Sequence, residues 1–182
     1  MKKVIFFLVL IISFNTIANA QQDEIWEPVV TRSDLIGKWT GSHTIEIPQN
    51  DEAGIPNSAL TFTINIDYLA RNENIVLELM VDLNQLMNDW IKLPVIMELG
   101  ITKEQFWNMI KQKLSAPMEN DVTFSDNYQI TFLINEEVEE LINSEYYLIN
   151  RNRTMLKVIF EDPLSLGLGD AGFSEMTLVK TR

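Results

Sequence analysis

Acid–base and nucleophilic catalysis have few possible participants in this sequence, because it contains one histidine and no cysteine. The histidine, His43, has no acidic residue directly beside it, and strand alternation would place Ser42 on the opposite face from it. A Ser-His-Asp site needs a histidine oriented by a carboxylate and a nucleophile within its reach. The sequence therefore predicts a protein that is not an enzyme. His43 is expected to be a hydrogen-bonded interior side chain or a polar contact for a ligand.

Carboxylates are abundant, but their spacing does not predict a metal site. The run "EEVEE" at 136–140 contains Glu136, Glu137, Glu139 and Glu140. Calcium loops alternate Asp and Asn oxygens with a glycine at the turn, and this run has neither feature. We expect a solvated acidic rim and no metal.

A glycine-rich stretch, "GLGDAG" at 167–172, superficially resembles a phosphate-binding loop. Such loops continue into Lys-Ser/Thr and a helix, and neither follows here. The glycines are better interpreted as part of a flexible loop, and no cofactor is predicted.

The first twenty residues form a segment of their own. Lys2 and Lys3 precede the apolar run "VIFFLVLII", and "ANA" at 18–20 places small residues before a cleavage site. This order is typical of a secretory signal peptide, and the apolar run is too short to span a bilayer. No cysteine follows that would carry a lipid anchor. We expect export to the periplasm or the extracellular space, without stable membrane insertion.

The remaining chain is strongly acidic. The formal net charge is −12, and it becomes −14 without residues 1–20, because that segment holds two lysines and no acid. Binding to a nucleic-acid backbone or to an anionic membrane needs clustered Lys and Arg. No nucleic-acid partner is therefore expected, and the sequence does not specify a protein partner.

Alternating apolar and polar residues, the pattern of a strand with one buried face, dominate the chain. The alternation is clearest in "LTFTINIDY", "NIVLELMVD", "YQITFLIN" and "TMLKVIF". With weaker candidates included, eight strands are predicted, at 38–47, 58–70, 73–82, 121–126, 128–135, 144–150, 153–160 and 173–182. The piece "EEVEELI" at 136–142 fits either a helical turn or a frayed strand end.

One region, at about 83–116, has helical periodicity instead. Its apolar residues recur at helical spacing, and Thr102 with Gln105 fits a capping box. The apolar stripe comprises Leu83, Leu86, Met87, Trp90, Phe106, Trp107 and Ile110. These helices would simply pack on the barrel or its loops, or they would form a lid over a binding site or a surface for a partner protein.

The lengths of the connections suggest how the strands are arranged. Short polar turns at Arg71-Asn72, near Asn127 and at Arg151-Asn152 alternate with four long connections. In an up-and-down meander, alternate connections lie at opposite ends of the strands. The predicted fold is therefore all-β with a helical insertion: an eight-stranded antiparallel up-and-down β-barrel whose helices, between strands three and four, lie near an elaborated mouth.

The first strand begins with Gly37-Lys38-Trp39, after the segment Ser33-Asp34-Leu35-Ile36. In this motif and in its layout, the chain resembles the lipocalin-like barrels of the calycin group, which carry Gly-x-Trp at this place. The resemblance implies that the preceding turn plugs the barrel floor. It also implies that a basic residue near the end of the last strand packs across Trp39. Arg182 matches that residue, with Lys180 as the substitute if the register shifts.

These interpretations divide the chain into a signal peptide at 1–20, an N-terminal segment with the floor plug at 21–34, and the barrel at 35–182.

The apolar interior near the mouth predicts a non-catalytic protein that binds a small hydrophobic molecule, such as a fatty acid or another lipid. The candidate ligand-binding residues are Ile45, Leu60, Phe62, Leu79, Val81, Phe132, Ile134, Val158 and Phe160, with Tyr146 and His43 as polar contacts. The alternative is a packed barrel that serves as a structural or protein-interaction module of the cell envelope, including an inhibitor.

Overall fold

The computed structural model describes residues 25–47, 49, 56–115, 121–164 and 173–182. The predicted signal peptide and the glycine-rich stretch at 167–172 lie outside these residues. Within them the chain forms nine strands and five helices. The strands are β1 (Trp26–Pro28), β2 (Gly37–Ile47), β3 (Ser58–Tyr68), β4 (Asn74–Asp82), β5 (Val122–Phe124), β6 (Gln129–Glu137), β7 (Tyr147–Asn150), β8 (Met155–Leu164) and β9 (Phe173–Lys180). The helices are α1 (Arg32–Leu35), α2 (Asn84–Trp90), α3 (Pro94–Glu98), α4 (Lys103–Ser115) and α5 (Val138–Leu141).

All nine strands belong to one antiparallel sheet, in the order β1-β7-β8-β9-β2-β3-β4-β6-β5. The prediction of a mostly β fold with a helical insertion is confirmed, and each of the eight predicted strands overlaps an observed one. The prediction missed β1, which is three residues long and includes a proline. So short a strand cannot show a period-two pattern.

The sheet is not closed into a barrel, so that part of the prediction is wrong. The outer edge of β6 is paired with β5, and the outer edge of β7 is paired with β1. Between β6 and β7 the chain forms α5 instead of a tight hairpin. To complete a barrel, β6 would have to pair with β7. Each of these strands instead pairs with another strand on that edge, and α5 separates them along the chain.

The positions of the turns also differ from the predicted meander. The register pairs Gly37 with Tyr68 and Asn74 with Glu137, so the 69–73 turn and α5 lie at the same end of the sheet. The turn at Asn127 lies at the opposite end, because Gln129 pairs with Asp82. The short turns thus do not share one end. The reason is that β5 lies on the far side of β6 and not between β4 and β6.

Alternation along the central strands creates one buried face and one polar face. On β3, the apolar residues from Leu60 to Tyr68 at every second position are at most 2% exposed. On the other face, the side chains form hydrogen-bonded pairs between β2 and β3. These pairs are Thr40–Asn65 at 2.7 Å, Ser42–Thr63 at 2.9 Å and Thr44–Thr61 at 3.1 Å.

Trp39 joins the start of β2 to α1. Its side chain is 1% exposed, and its indole Nε1 donates a hydrogen bond to the carbonyl oxygen of Leu35 at 2.8 Å. That carbonyl belongs to the last turn of α1, where helix carbonyls have no partner within the helix. Leu35 itself is fully buried. The short turn before the first strand is thus packed into the core beside Trp39.

A buried carboxylate holds α1 in shape. Asp34 is 1% exposed, and its Oδ2 accepts hydrogen bonds from the backbone N–H groups of Thr31 and Val30, at 2.9 and 3.2 Å. A guanidinium nitrogen of Arg153, from the turn between β7 and β8, lies 3.0 Å from Oδ1. The helix is therefore tied to the far part of the sheet by charge as well as by packing.

The basic residue that packs across Trp39 is Lys180, the substitute, and not Arg182. The register pairs Trp39 with Lys180, and the Lys180 ammonium lies 4.9 Å from the indole centroid. Arg182 lies further along, where its carbonyl oxygen accepts a hydrogen bond from the N–H of Lys38 at 3.2 Å. Gly37 has a φ of +133°, and a Cβ there would be 2.5 Å from the same carbonyl oxygen. Only glycine fits this position without strain.

The helical insertion packs at the end of the sheet where β4 ends. Ser58 on β3 donates a hydrogen bond to Asp89 on α2 at 3.0 Å, and Trp107 on α4 contacts the rings of Phe124 and Tyr128 edge-on. The predicted capping box is present: the Thr102 N–H donates to Gln105 Oε1 at 2.8 Å, and the Gln105 N–H donates to Thr102 Oγ1 at 3.2 Å. Most of the predicted apolar stripe is buried, and the rest packs against the core.

Candidate ligand-binding cleft

An open cleft of about 480 Å³ lies where β6 and the β7–β8 pair fail to meet. β7 has four residues, whereas β8 has ten and continues past the start of β7. The side chains in this gap have no facing strand, which leaves space between them. The cleft is lined by Leu77, Ile134, Glu136, Glu140, Leu141, Ser144, Tyr146, Tyr147, Val158, Ile159, Phe160 and Glu161.

The apolar wall of the cleft is continuous with the core. Leu77 and Val158 are 1% and 2% exposed, whereas Ile134 is 36% exposed. Ile134 follows Ile130 and Phe132 on the inward face of β6, where period two places it. It is exposed because no strand covers that side of β6 at its level. The cleft is therefore an opening from the solvent onto the inner face of the sheet.

Tyr147 and Glu136 bridge the gap at the base of the cleft. The Tyr147 hydroxyl donates a hydrogen bond to Glu136 Oε2 at 2.9 Å. Burial raises the pKa of the Tyr147 hydroxyl well above its usual range, and the charge of Glu136 and the hydrogen bond to it raise this pKa further. Tyr147 therefore remains a protonated donor at any physiological pH.

The rim of the cleft is polar and negatively charged. Glu140 on α5 and Glu161 on β8 are exposed. Ser144 shapes the loop between α5 and β7, since its hydroxyl accepts a hydrogen bond from the N–H of Tyr146 at 3.1 Å. Tyr146 is 37% exposed at the cleft. Apolar walls with a few polar groups are the usual composition of small-molecule sites.

The structure brings together four of the predicted ligand-binding residues and separates the others. Ile134, Tyr146, Val158 and Phe160 line the cleft. Five more, namely Ile45, Leu60, Phe62, Leu79 and Val81, are buried and belong to the hydrophobic core cluster. Phe132 is partly buried and packs against that core.

His43 is on the predicted face of β2, but it is exposed and not interior. Its ring lies against Phe173, with the centroids 4.6 Å apart, and Phe173 contacts Phe62 and Phe160 edge-on. Among the described residues no carboxylate pairs with His43. The described part of the chain also contains no group of three side chains that could hold a metal ion.

Several cleft residues were not among the predicted ligand-binding residues. Leu77 shares the inward face of β4 with Leu79, and that alternation was a usable signal for it. Tyr147 is in phase with the buried Ile149, but a strand of four residues gives too little alternation to choose between two adjacent tyrosines. Glu140, Leu141 and Ser144 come from α5 and the loop after it, and their position depends on the missing hairpin.

A second depression, of about 560 Å³, lies on the outer face of β2, β3 and β4. Its polar side chains already pair with one another, as in the 2.6 Å ion pair between Lys38 and Asp67 and the Thr40–Asn65 hydrogen bond. A ligand would have to replace these contacts, so this face is the weaker candidate.

No protein-family model, curated protein or solved structure matches the chain. In the described residues, no helix combines the length and the apolarity needed to cross a membrane.

Proposed function

We propose that this protein is a non-catalytic carrier or sensor that binds a small, largely apolar molecule in the cleft between β6 and β8. The observation that carries the proposal is the gap in the sheet, which leaves Ile134 and Phe160 beside an open space of about 480 Å³. Pockets of a few hundred Å³ with apolar walls are typical of small-molecule sites. The stacking of Lys180 on Trp39 supports the likeness to lipocalin-like proteins, and export through a signal peptide would suit such a carrier.

Binding would come mainly from burial of the ligand's apolar surface. The contribution is about 25 cal/mol for each Å² removed from water, less the cost of association. The site is preorganised, because Leu77 and Val158 at its base belong to paired strands. A ligand would cover Ile134 and would not need to displace the packed core.

The test is a titration with Nile red, a neutral dye whose emission changes in apolar surroundings. We expect saturable binding to the wild type and about tenfold weaker binding to Ile134→Trp, whose larger side chain fills the cleft. Val76→Trp is the matched control, since Val76 is 44% exposed and lines the outer depression. Circular dichroism and thermal unfolding establish that both variants are folded.

Three outcomes would contradict the proposal: no saturable binding to the wild type, equal affinity for the wild type and Ile134→Trp, or a loss of affinity only in Val76→Trp. The last result would assign the dye to the outer depression.

A packed structural or interaction module is the second candidate, and the filled core favours it. Leu60, Phe62 and Val81, predicted to line a cavity, are fully buried in the core, and none of them lines the cleft. In this case the cleft would be a surface feature without affinity for small molecules. The Nile red titration separates the two candidates, because a packed module gives no saturable signal that depends on Ile134.

A further inference from the structure

The charges around the cleft indicate which class of apolar molecule it selects. Three carboxylates, those of Glu136, Glu140 and Glu161, are among its lining residues. The described residues that line it include no Lys, Arg or His. A carboxylate ligand placed there would meet like charges, which repel it.

The basic residues near this part of the sheet are engaged elsewhere. The Arg32 side chain donates a hydrogen bond from Nε to Glu139 Oε1 at 3.0 Å. Lys157 on β8 donates to Glu175 on β9 at 3.1 Å and lies over the ring of Trp26. Neither cation lines the cleft.

Between residues 25 and 182, the segments for which no structure is described add no basic side chain either. Position 48 and the ranges 50–55, 116–120 and 165–172 contain no Lys, Arg or His, whereas they do contain acidic residues such as Asp51 and Asp170. These segments therefore bring no basic side chain to the cleft, whose described lining carries three carboxylates.

The aromatic residues of the cleft point to the same chemistry. Tyr146, Tyr147 and Phe160 are among its lining residues. Aromatic faces attract ammonium groups, and the attraction grows when the cation is partly removed from water. Carboxylates and aromatic rings around an apolar wall form a site for a molecule with an apolar body and a cationic end.

We propose that the cleft binds apolar molecules that carry a protonated amine or a quaternary ammonium group, in preference to fatty acids. This inference rests on the proposed binding function. The sequence led us to expect a fatty acid, which is an anion, whereas the ligand proposed here carries a positive charge. The apolar body would lie against Ile134 and Phe160, and the cationic end would lie toward Glu140 and Glu161 at the rim.

The experiment is displacement of Nile red from the chain of residues 21–182, which lacks the predicted signal peptide, by three ligands with the same alkyl chain: dodecylamine, dodecanol and dodecanoate. Each is used below the concentration at which it forms micelles. We expect dodecylamine to displace the dye at a concentration about tenfold below that of dodecanol, with dodecanoate the weakest of the three. The preference should shrink as sodium chloride is added.

A pair of charge-matched variants assigns the preference to the cleft. Glu140→Gln with Glu161→Gln should remove most of the difference between dodecylamine and dodecanol. Glu98→Gln with Glu104→Gln alters the net charge equally, on exposed positions of the helical insertion, and should leave the difference unchanged. Glu136 is left intact because its hydrogen bond to Tyr147 is part of the structure.

The outcomes separate this inference from the function on which it rests. Saturable, Ile134-dependent dye binding without a preference for the amine overturns the inference and leaves the binding function standing. The same holds if both variant pairs weaken the preference equally, because the net charge of the protein would then explain it. Absence of saturable dye binding overturns the binding function, and the inference with it.

Discussion

Tyr147 shows how one side chain can hold the two sides of the open sheet together. It begins β7, is 3% exposed, and reaches across to Glu136 on β6. A hydrogen bond to a charged acceptor contributes about 1.5–3 kcal/mol when it is buried. In the described residues no backbone pairing joins β6 and β7, so this side-chain hydrogen bond links the two strands directly across the gap.

Replacing Tyr147 with Phe should change how stability depends on alkaline pH. The native state keeps the Tyr147 proton, whereas the unfolded state releases it above the ordinary tyrosine pKa of 10.0. The wild-type free energy of unfolding should therefore fall above pH 10.0, by up to about 1.4 kcal/mol per pH unit from this residue. Tyr147→Phe should lack this contribution. Urea unfolding between about pH 9 and pH 11 measures the difference.

Tyr146→Phe is the control for this experiment, since Tyr146 is 37% exposed. It should keep the wild-type dependence on pH. If wild type and Tyr147→Phe lost stability in parallel, the Tyr147 hydroxyl would not be protected in the native state.

For single residues, the sequence predicts which face of the sheet a side chain lies on better than it predicts how exposed that side chain is to solvent. Alternation correctly placed Ile134, Val158 and Leu60 on the inward face. It could not show that Leu60 would be fully buried and Ile134 partly exposed, because that depends on whether a strand stands opposite. The acidic residues of the rim were predicted to be solvated, but their position at the cleft follows from α5 and the end of β8.

Among the elements, α1 shows clearly how tertiary contacts stabilise a short helix. It has four residues, far too few to be stable as an isolated helix. The Trp39 indole satisfies one of its terminal carbonyls, and Leu35 is buried beside it. The Gly-x-Trp motif thus fixes a helix that local sequence preferences would not maintain.

Trp39→Phe should destabilise the protein by about 2 kcal/mol. The variant loses a hydrogen bond, which contributes about 1 kcal/mol, and leaves a small cavity in place of part of the indole. Trp26→Phe is the matched control, because Trp26 is only partly buried on the edge strand β1. We expect it to cost less than about 1 kcal/mol, from weaker stacking with Lys157. Equal midpoints in urea unfolding would contradict the role assigned to Trp39.

Sequence patterns located nearly all of these elements but not how they are joined. β5, the segment Val122–Phe124, was recognised as a strand, yet its sequence does not say which edge it pairs with. In the structure it covers residues 130–132 of β6, and this choice breaks the meander. Pairing partners depend on the whole sheet, whereas the alternation that predicts a strand is local.

The whole molecule carries a large excess of negative charge. There are 26 acidic and 14 basic residues, and the described ion pairs, such as Lys38–Asp67, are mostly on the surface. Surface ion pairs contribute little, usually below about 1 kcal/mol each. Repulsion among the unpaired carboxylates should therefore outweigh them at low ionic strength.

Added salt should stabilise the protein. Raising sodium chloride to about 0.15 M reduces the Debye length to about 8 Å and screens repulsion between distant carboxylates. We expect the Tm to rise by about 2–4 °C, corresponding to roughly 1 kcal/mol. Potassium chloride at the same ionic strength should act equally, since the effect is screening. A fall in Tm with salt would mean that attractive ion pairs dominate.

The two strands at the ends of the sheet have a consequence for self-association. An open sheet ends in strands whose unpaired backbone groups can recruit another chain, and long, flat edges therefore favour fibrils. Here both outermost strands are three residues long, and β1 ends in Pro28, which has no N–H to donate. Such short edges offer little template for a neighbouring molecule. The described sheet can therefore stay open while its two outermost strands offer only short edges to a neighbouring molecule.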